Sequence, residues 1–185
     1  MSAAVTPLGV AVLALLAERE MHPYEMLQLL NQRATDRLVK VSPGSLYHAV
    51  DRLHRDGLAR SAGVERSGNR PERTTYALTP AGADALHQQL AAMIAAPVNE
   101  FPRFPLGLAE AHNLPRDTVL DLLRDRRARL VDEIAVFRTG VDRVRAKELP
   151  MRYWVDLTYQ IAMYETESRW IATFIEDIES GDIAW

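Results

Sequence analysis

The spacing of hydrophobic positions changes along this chain, and each change marks a new kind of element. The run "LGVAVLALLAE" holds Val12, Leu13, Leu15 and Leu16. It is too apolar for a surface helix and predicts one that is largely buried. "MHPYEMLQLLNQRA" predicts a second helix, with Tyr24, Leu27 and Leu30 on one side. Pro23 suits its first turn, where no amide hydrogen is needed. "VSPGSLYHAVDRLHRDGLA" predicts a third. Ser42 fits the N-cap, Pro43 the first helical position, and Gly57 a left-handed close. At about 100° per residue, Leu46, Ala49, Val50 and Leu53 share one stripe. His48, Asp51, Arg52 and Arg55 fall opposite, with Ser45 at the edge and Tyr47 on the flank.

The period then shortens to two. Thr74, Tyr76 and Leu78 alternate with Arg73, Thr75 and Ala77, as a half-buried strand does. Leu58 to Glu65 can pair with it across "RSGNRP", whose Gly, Asn and Pro residues are turn chemistry. Three helices and a hairpin follow the order of a winged helix-turn-helix, whose third helix enters the DNA major groove. This predicts a DNA-binding domain over residues 1–79.

From residue 80 the helical period returns. Thr79 and Pro80 repeat the cap-then-proline start, and a proline-rich stretch from Pro97 to Pro105 breaks that helix. Two long helices follow. Leu120, Leu123, Arg127, Leu130, Ile134, Phe137, Val141 and Val144 are spaced 3, 4, 3, 4, 3, 4, 3. Trp154, Leu157, Ile161, Tyr164, Ser168, Ile171, Ile175 and Ile178 repeat that spacing, which is heptad patterning. Pro150 marks the turn that makes the two helices antiparallel neighbours. Met163, Trp170 and Phe174 form a second apolar stripe on the last helix, more than one partner helix covers, so a homodimer is expected. Residues 80–185 are thus predicted to be a helical dimerisation domain. Its contacts are expected from Leu130, Ile134, Phe137, Trp154, Leu157, Ile161, Tyr164, Trp170, Ile171 and Phe174. The fold class is mainly α.

Charge sharpens the first half. The whole chain of 185 residues carries −3. Between Arg33 and Arg73, however, nine basic residues face five acidic ones, a local +4. Arg66, Arg70 and Arg73 lie in or beside the hairpin tip, where a wing meets phosphates. Arg52 or Arg55 can grip guanine in a bidentate pair, His48, Ser45 and Asp51 can reach other base edges, and Tyr47 can donate to a phosphate. The plainer reading of the same face is a solvated surface with Asp51 and Arg55 paired at i,i+4. A winged helix can also dock proteins without touching DNA; that use favours apolar anchors on the third helix and needs no arginines in the wing.

The stretches "ALLAEREMHPYEML", "VSPGSLYHAVDRLHRDGLA" and "RPERTTYALTPAG" resemble the PadR-like transcriptional regulators, in unbroken order over roughly residues 8 to 90. One departure is Pro23, where members usually have Gly. The resemblance implies a cytoplasmic dimeric repressor acting on a double-stranded DNA operator, released in some members by a small molecule. It implies DNA contacts from Ser42, Pro43, Gly44, Ser45 and Tyr47 at the helix start, and from the wing. It also implies dimerisation through the helical extension.

Other chemistry finds little support. No two of the five histidines stand at the i,i+4 spacing of a helical metal site, and glycine-rich phosphate loops and serine elbows are missing. No enzyme activity, metal or cofactor is expected. The chain has no cysteine, which suits a reducing compartment, and Leu8 to Ala17 is too short an apolar run to span a bilayer. The run "RDRRAR" is flanked by Asp121, Asp132 and Glu133 and reads as a salt-bridged helix surface. An effector, if the protein takes one, is expected to be planar and mostly apolar. It would sit near Trp154 or near Phe101 and Phe104, with Arg127 open to an anionic group. The plainer reading of Arg127 is a pair with Asp125 or Asp132, or a side chain reaching out to solvent.

Overall fold

The computed structural model describes residues 5–65 and 73–185. These fall into two compact units, the first ending at Asn99 and the second beginning at Glu100.

The first unit opens with α1 (Pro7–Glu18), whose N-cap Thr6 accepts a hydrogen bond from the Gly9 amide at 3.2 Å. α2 (Pro23–Gln32) has Pro23 at its first position, but its cap is His22, whose Nδ1 accepts from the Tyr24 amide at 3.0 Å. α3 (Pro43–Arg55) begins with a reciprocal cap. Ser42 Oγ accepts from the Ser45 amide at 3.2 Å, and Ser45 Oγ accepts from the Ser42 amide at 2.9 Å. Two antiparallel strands follow, β1 (Ala59–Glu65) and β2 (Arg73–Leu78), in register from Ala59 opposite Leu78 to Glu65 opposite Arg73. The register shifts between Ser61 and Gly63. Met21, between α1 and α2, bridges to Tyr76 on the free side of β2. α4 (Pro80–Ala95) closes the unit and packs on α1.

One core holds these elements: Val12, Leu13 and Leu16 of α1, Met26 and Leu30 of α2, Leu46, Val50 and Leu53 of α3, and Leu86 of α4. Each such side chain contributes roughly 1.5–3 kcal/mol when fully buried. The expected stripe on α3 is the buried one. On α2 the expectation needs correction: Met26 and Leu30 are buried, whereas Tyr24 is 53% exposed. A helix of 3.6 residues per turn turns Met26 and Leu30 inward together, four apart, and leaves Tyr24 outside.

The second unit begins with an element the proline pattern hid, the short α5 (Arg103–Ala109). Pro105 falls in its first turn, where it costs no hydrogen bond. α6 (Arg116–Ala146) and α7 (Val155–Ser180) form the expected hairpin. Leu120, Leu123, Leu130, Ile171, Ile175 and Ile178 make its core. Ile134, Phe137 and Val141 are buried further along, and the Phe137 ring meets Tyr164 edge-on at 5.7 Å. The two seams therefore close on each other within one chain. Trp154 lies just ahead of α7, buried, its indole N–H donating to the Leu149 carbonyl at 2.9 Å. Arg127 leaves the seam for solvent.

Candidate DNA-binding surface

α3 presents its polar face to solvent along its whole length. Ser42, Pro43, Gly44, Tyr47, His48, Asp51, Arg52 and Arg55 are exposed, and Ser45 is half-buried in its cap. The cap and Pro43 fix the helix start on the surface, where the helix dipole favours an anion. Gly44 stands in that first turn, and a Cβ added there would meet nothing within 4 Å. Its lack of a side chain therefore answers no need of the domain's own packing. Gly82, by contrast, would place a Cβ 2.0 Å from the Leu58 carbonyl oxygen.

The cations of this unit divide into two groups. Arg33 pairs with Glu18 at 2.5 Å, Arg60 with Glu20 at 3.5 Å, and Arg19 with Glu25. The hydrogen bonds from Arg33 and Arg19 hold the carboxyls of Glu18 and Glu25 below the ordinary range. On α3, Arg52 and Arg55 form no hydrogen bond or ion pair among the described residues, and the Asp51–Arg55 pair does not close there. Asp51 acts on the wing instead. Its charge, after burial, helps raise the Tyr76 hydroxyl pKa. His54 is exposed too, but it makes contacts on the wing side, its Nδ1 meeting the Ala59 carbonyl at 3.2 Å and its ring the Tyr76 ring at 5.7 Å.

Arg66 and Arg70 lie outside the described residues; Arg73 begins β2, its backbone opposite Glu65. Lys40, exposed two residues before the α3 cap, joins the same surface, although the sequence reading counted only its charge. Its proximity to Ser42 was the signal. In the second unit, Arg126 lies over the Phe104 ring at 3.6 Å and donates to Glu167 at 2.5 Å. Phe101 is 83% exposed, with φ of 48°. One groove is lined by Leu122, Arg126, Leu130 and Tyr164, with none of Phe101, Phe104 or Trp154 in its walls, and another holds Arg127 beside Val131 and Ile175. Leu130, Ile134, Phe137 and Ile171 are spent inside the hairpin, with Leu157, Ile161 and Tyr164 half-buried beside them. Trp170 stacks on Phe174 at 5.0 Å yet stays 48% exposed.

An exposed, capped third helix beside a two-stranded hairpin defines a winged helix-turn-helix. Residues 12–88 match the model of the transcriptional regulator PadR-like family. Solved structures agree in fold over nearly the whole chain. Bacillus subtilis PadR in complex with operator DNA superposes with a TM-score of 0.78 at 18% identity, covering 94% of this chain and 99% of that one. The same protein in complex with p-coumaric acid gives 0.75 at 17%, covering 94% and 98%. The PadR-like regulator BC1756 from Bacillus cereus gives 0.67 at 19%, covering 94% and 99%. No curated protein matches the chain. Among the described residues, no helix is long and apolar enough to cross a membrane.

Proposed function

We propose that this protein is a homodimeric, sequence-specific DNA-binding repressor of the cytoplasm. One observation carries the reading: the first unit neutralises Arg19, Arg33 and Arg60 with its own carboxylates, yet leaves Arg52 and Arg55 on α3 without an ion pair among the described residues. Unpaired arginines on a capped, exposed helix suit guanine edges and phosphates. Gly44 supports the same reading, because a glycine with no internal purpose leaves room for a DNA backbone at the helix start. Ser42, Pro43, Ser45, Tyr47 and His48 complete the α3 contacts, and Arg66, Arg70 and Arg73 are assigned to the wing.

Dimerisation is assigned to what the hairpin leaves uncovered. Met163 and Trp170 are about half exposed, as are Val155 and Tyr159 on the same helix. A second copy covers that stripe. The complex of the Bacillus subtilis protein with p-coumaric acid supports release by a small planar molecule. Phe104, under Arg126, is a better wall for one than the buried Trp154.

Titrating duplexes from the protein's own upstream region over a salt series tests the reading. We expect log affinity to fall with log salt by about 0.9 per phosphate contacted. Binding that ignores salt, or no duplex binding at all, would leave the docking-module reading standing. Trp170→Glu should give a monomer in sedimentation; a persistent dimer would move the interface elsewhere.

A further inference from the structure

We propose that Thr79 locks the start of α4 to the end of α3, so that a swing of α4 turns the recognition helix with it. The proposal rests on the reading of α3 as the DNA-reading helix of a dimer. The chain leaves α3 through a fixed turn: the Leu58 amide donates to the Leu53 carbonyl at 2.8 Å, the Gly57 amide to the His54 carbonyl at 3.1 Å, and Gly57 has φ of 73°. His54 Nδ1–H reaches over that turn to the Ala59 carbonyl.

β2 returns to the same place. The Thr79 amide donates to the Leu58 carbonyl at 3.2 Å, and its hydroxyl donates to the Gly57 carbonyl at 2.7 Å. That hydroxyl also accepts from the Gly82 amide at 3.0 Å, capping α4. One side chain thus serves two helices at once. Gly82 removes the remaining slack, since any Cβ there would collide with the Leu58 carbonyl. These ties run through backbone or one short side chain, so neither helix can rotate alone without breaking a hydrogen bond. α4 is the last element of this unit before the chain enters the second, so in a dimer held by the second unit the lock makes each α3 follow its own α4, and half-site spacing is what such a dimer reads.

Thr79→Asp separates the two duties. A carboxylate still accepts from the Gly82 amide, and suits a helix start, but cannot donate to the Gly57 carbonyl. Thr79→Ser keeps both. In the full-length protein we would measure amide exchange at positions 58, 79 and 82, and the affinity ratio between the operator and one with a base pair inserted between half-sites. We expect Ser to match wild type. Asp should keep Gly82 protected, speed exchange at 58 and 79, and shrink the insertion penalty about fivefold, the weight of one hydrogen bond. His54→Ala, which loosens the turn without touching the cap, should do the same. Unchanged exchange in both variants overturns the lock. Faster exchange with an unchanged penalty overturns its role in spacing. If wild type binds no duplex, the DNA reading falls, and exchange alone decides whether the lock exists.

Discussion

α3 and α6 both carry arginines on exposed faces, and they treat them in opposite ways. On α6, Arg124 holds Asp121 at 2.9 Å and Glu179 at 2.5 Å, Arg126 holds Glu167, and Arg138 holds Glu165 at 2.7 Å. Three of these pairs tie α6 to α7, and the cation is spent on its own fold. On α3, Arg52 and Arg55 tie nothing among the described residues. Composition alone would rank "RDRRAR" on α6 as the stronger nucleic-acid patch. Geometry narrows that patch to Arg127 and Arg129, which stay exposed, because Arg124 and Arg126 are already bonded to carboxylates and must break those bonds to meet a phosphate.

The sharpest way to break this contrast is to remove the α3 arginines. Arg52→Ala or Arg55→Ala should cost roughly 1–3 kcal/mol at the cognate operator and relax one base position per half-site. Thermal melting should hold, since neither side chain supports the fold. Isothermal titration against single-base operator variants reads both quantities. Two silent substitutions would make α3 as structural as α6.

Next in size is Arg126→Ala. The stacking on Phe104 and the pair with Glu167 together should be worth about 1 kcal/mol, discounted for the partial exposure of both charges. Urea unfolding should show the loss, while base preference stays fixed. A changed preference would mean that α6 also reads DNA.

Gly44→Ala tests the empty space at the α3 start. Alanine should stabilise the helix by up to about 1 kcal/mol, since the added methyl meets nothing. DNA affinity should fall as stability rises. Opposite signs in the two measurements are the signature of a site; a rise in both would show that no backbone approaches there.

The smallest effect is acid sensitivity. The carboxyls of Glu18 and Glu25 have lowered pKa values in the fold, so their pairs add stability at neutral pH and lose it as pH falls through the lowered values. Melting of Glu18→Gln should therefore depend less on pH below the ordinary carboxylate range than melting of wild type. Parallel curves would mean that this exposed pair adds nothing.

The sequence made most of the fold legible because its signals were local. Ser42–Pro43 and Thr79–Pro80 announce helix starts, and the heptad spacing announces the hairpin. α5 escaped because Pro105 looked like a breaker and sits harmlessly in a first turn. The His22 cap escaped because imidazole is an uncommon cap. For the candidate site, the exposed face of α3 was readable from its period alone. What periodicity could not reveal was pairing, which depends on residues far apart in the chain. It did not show that Arg33 meets Glu18, that Arg124 and Arg138 reach Glu179 and Glu165 across the hairpin, or that His54 meets the Ala59 carbonyl.

A two-stranded sheet has two open edges, and an open edge invites another chain to add a strand. Here Met21 occupies the outer side of β2, taking the Tyr76 carbonyl at 3.1 Å and giving its own carbonyl to the Tyr76 amide at 3.1 Å. That short bridge takes up the backbone groups of Tyr76 that an added strand would otherwise pair with. A proline at position 21 would withdraw its amide, leave the Tyr76 carbonyl without that partner, and reopen this edge of β2 to a strand from another molecule.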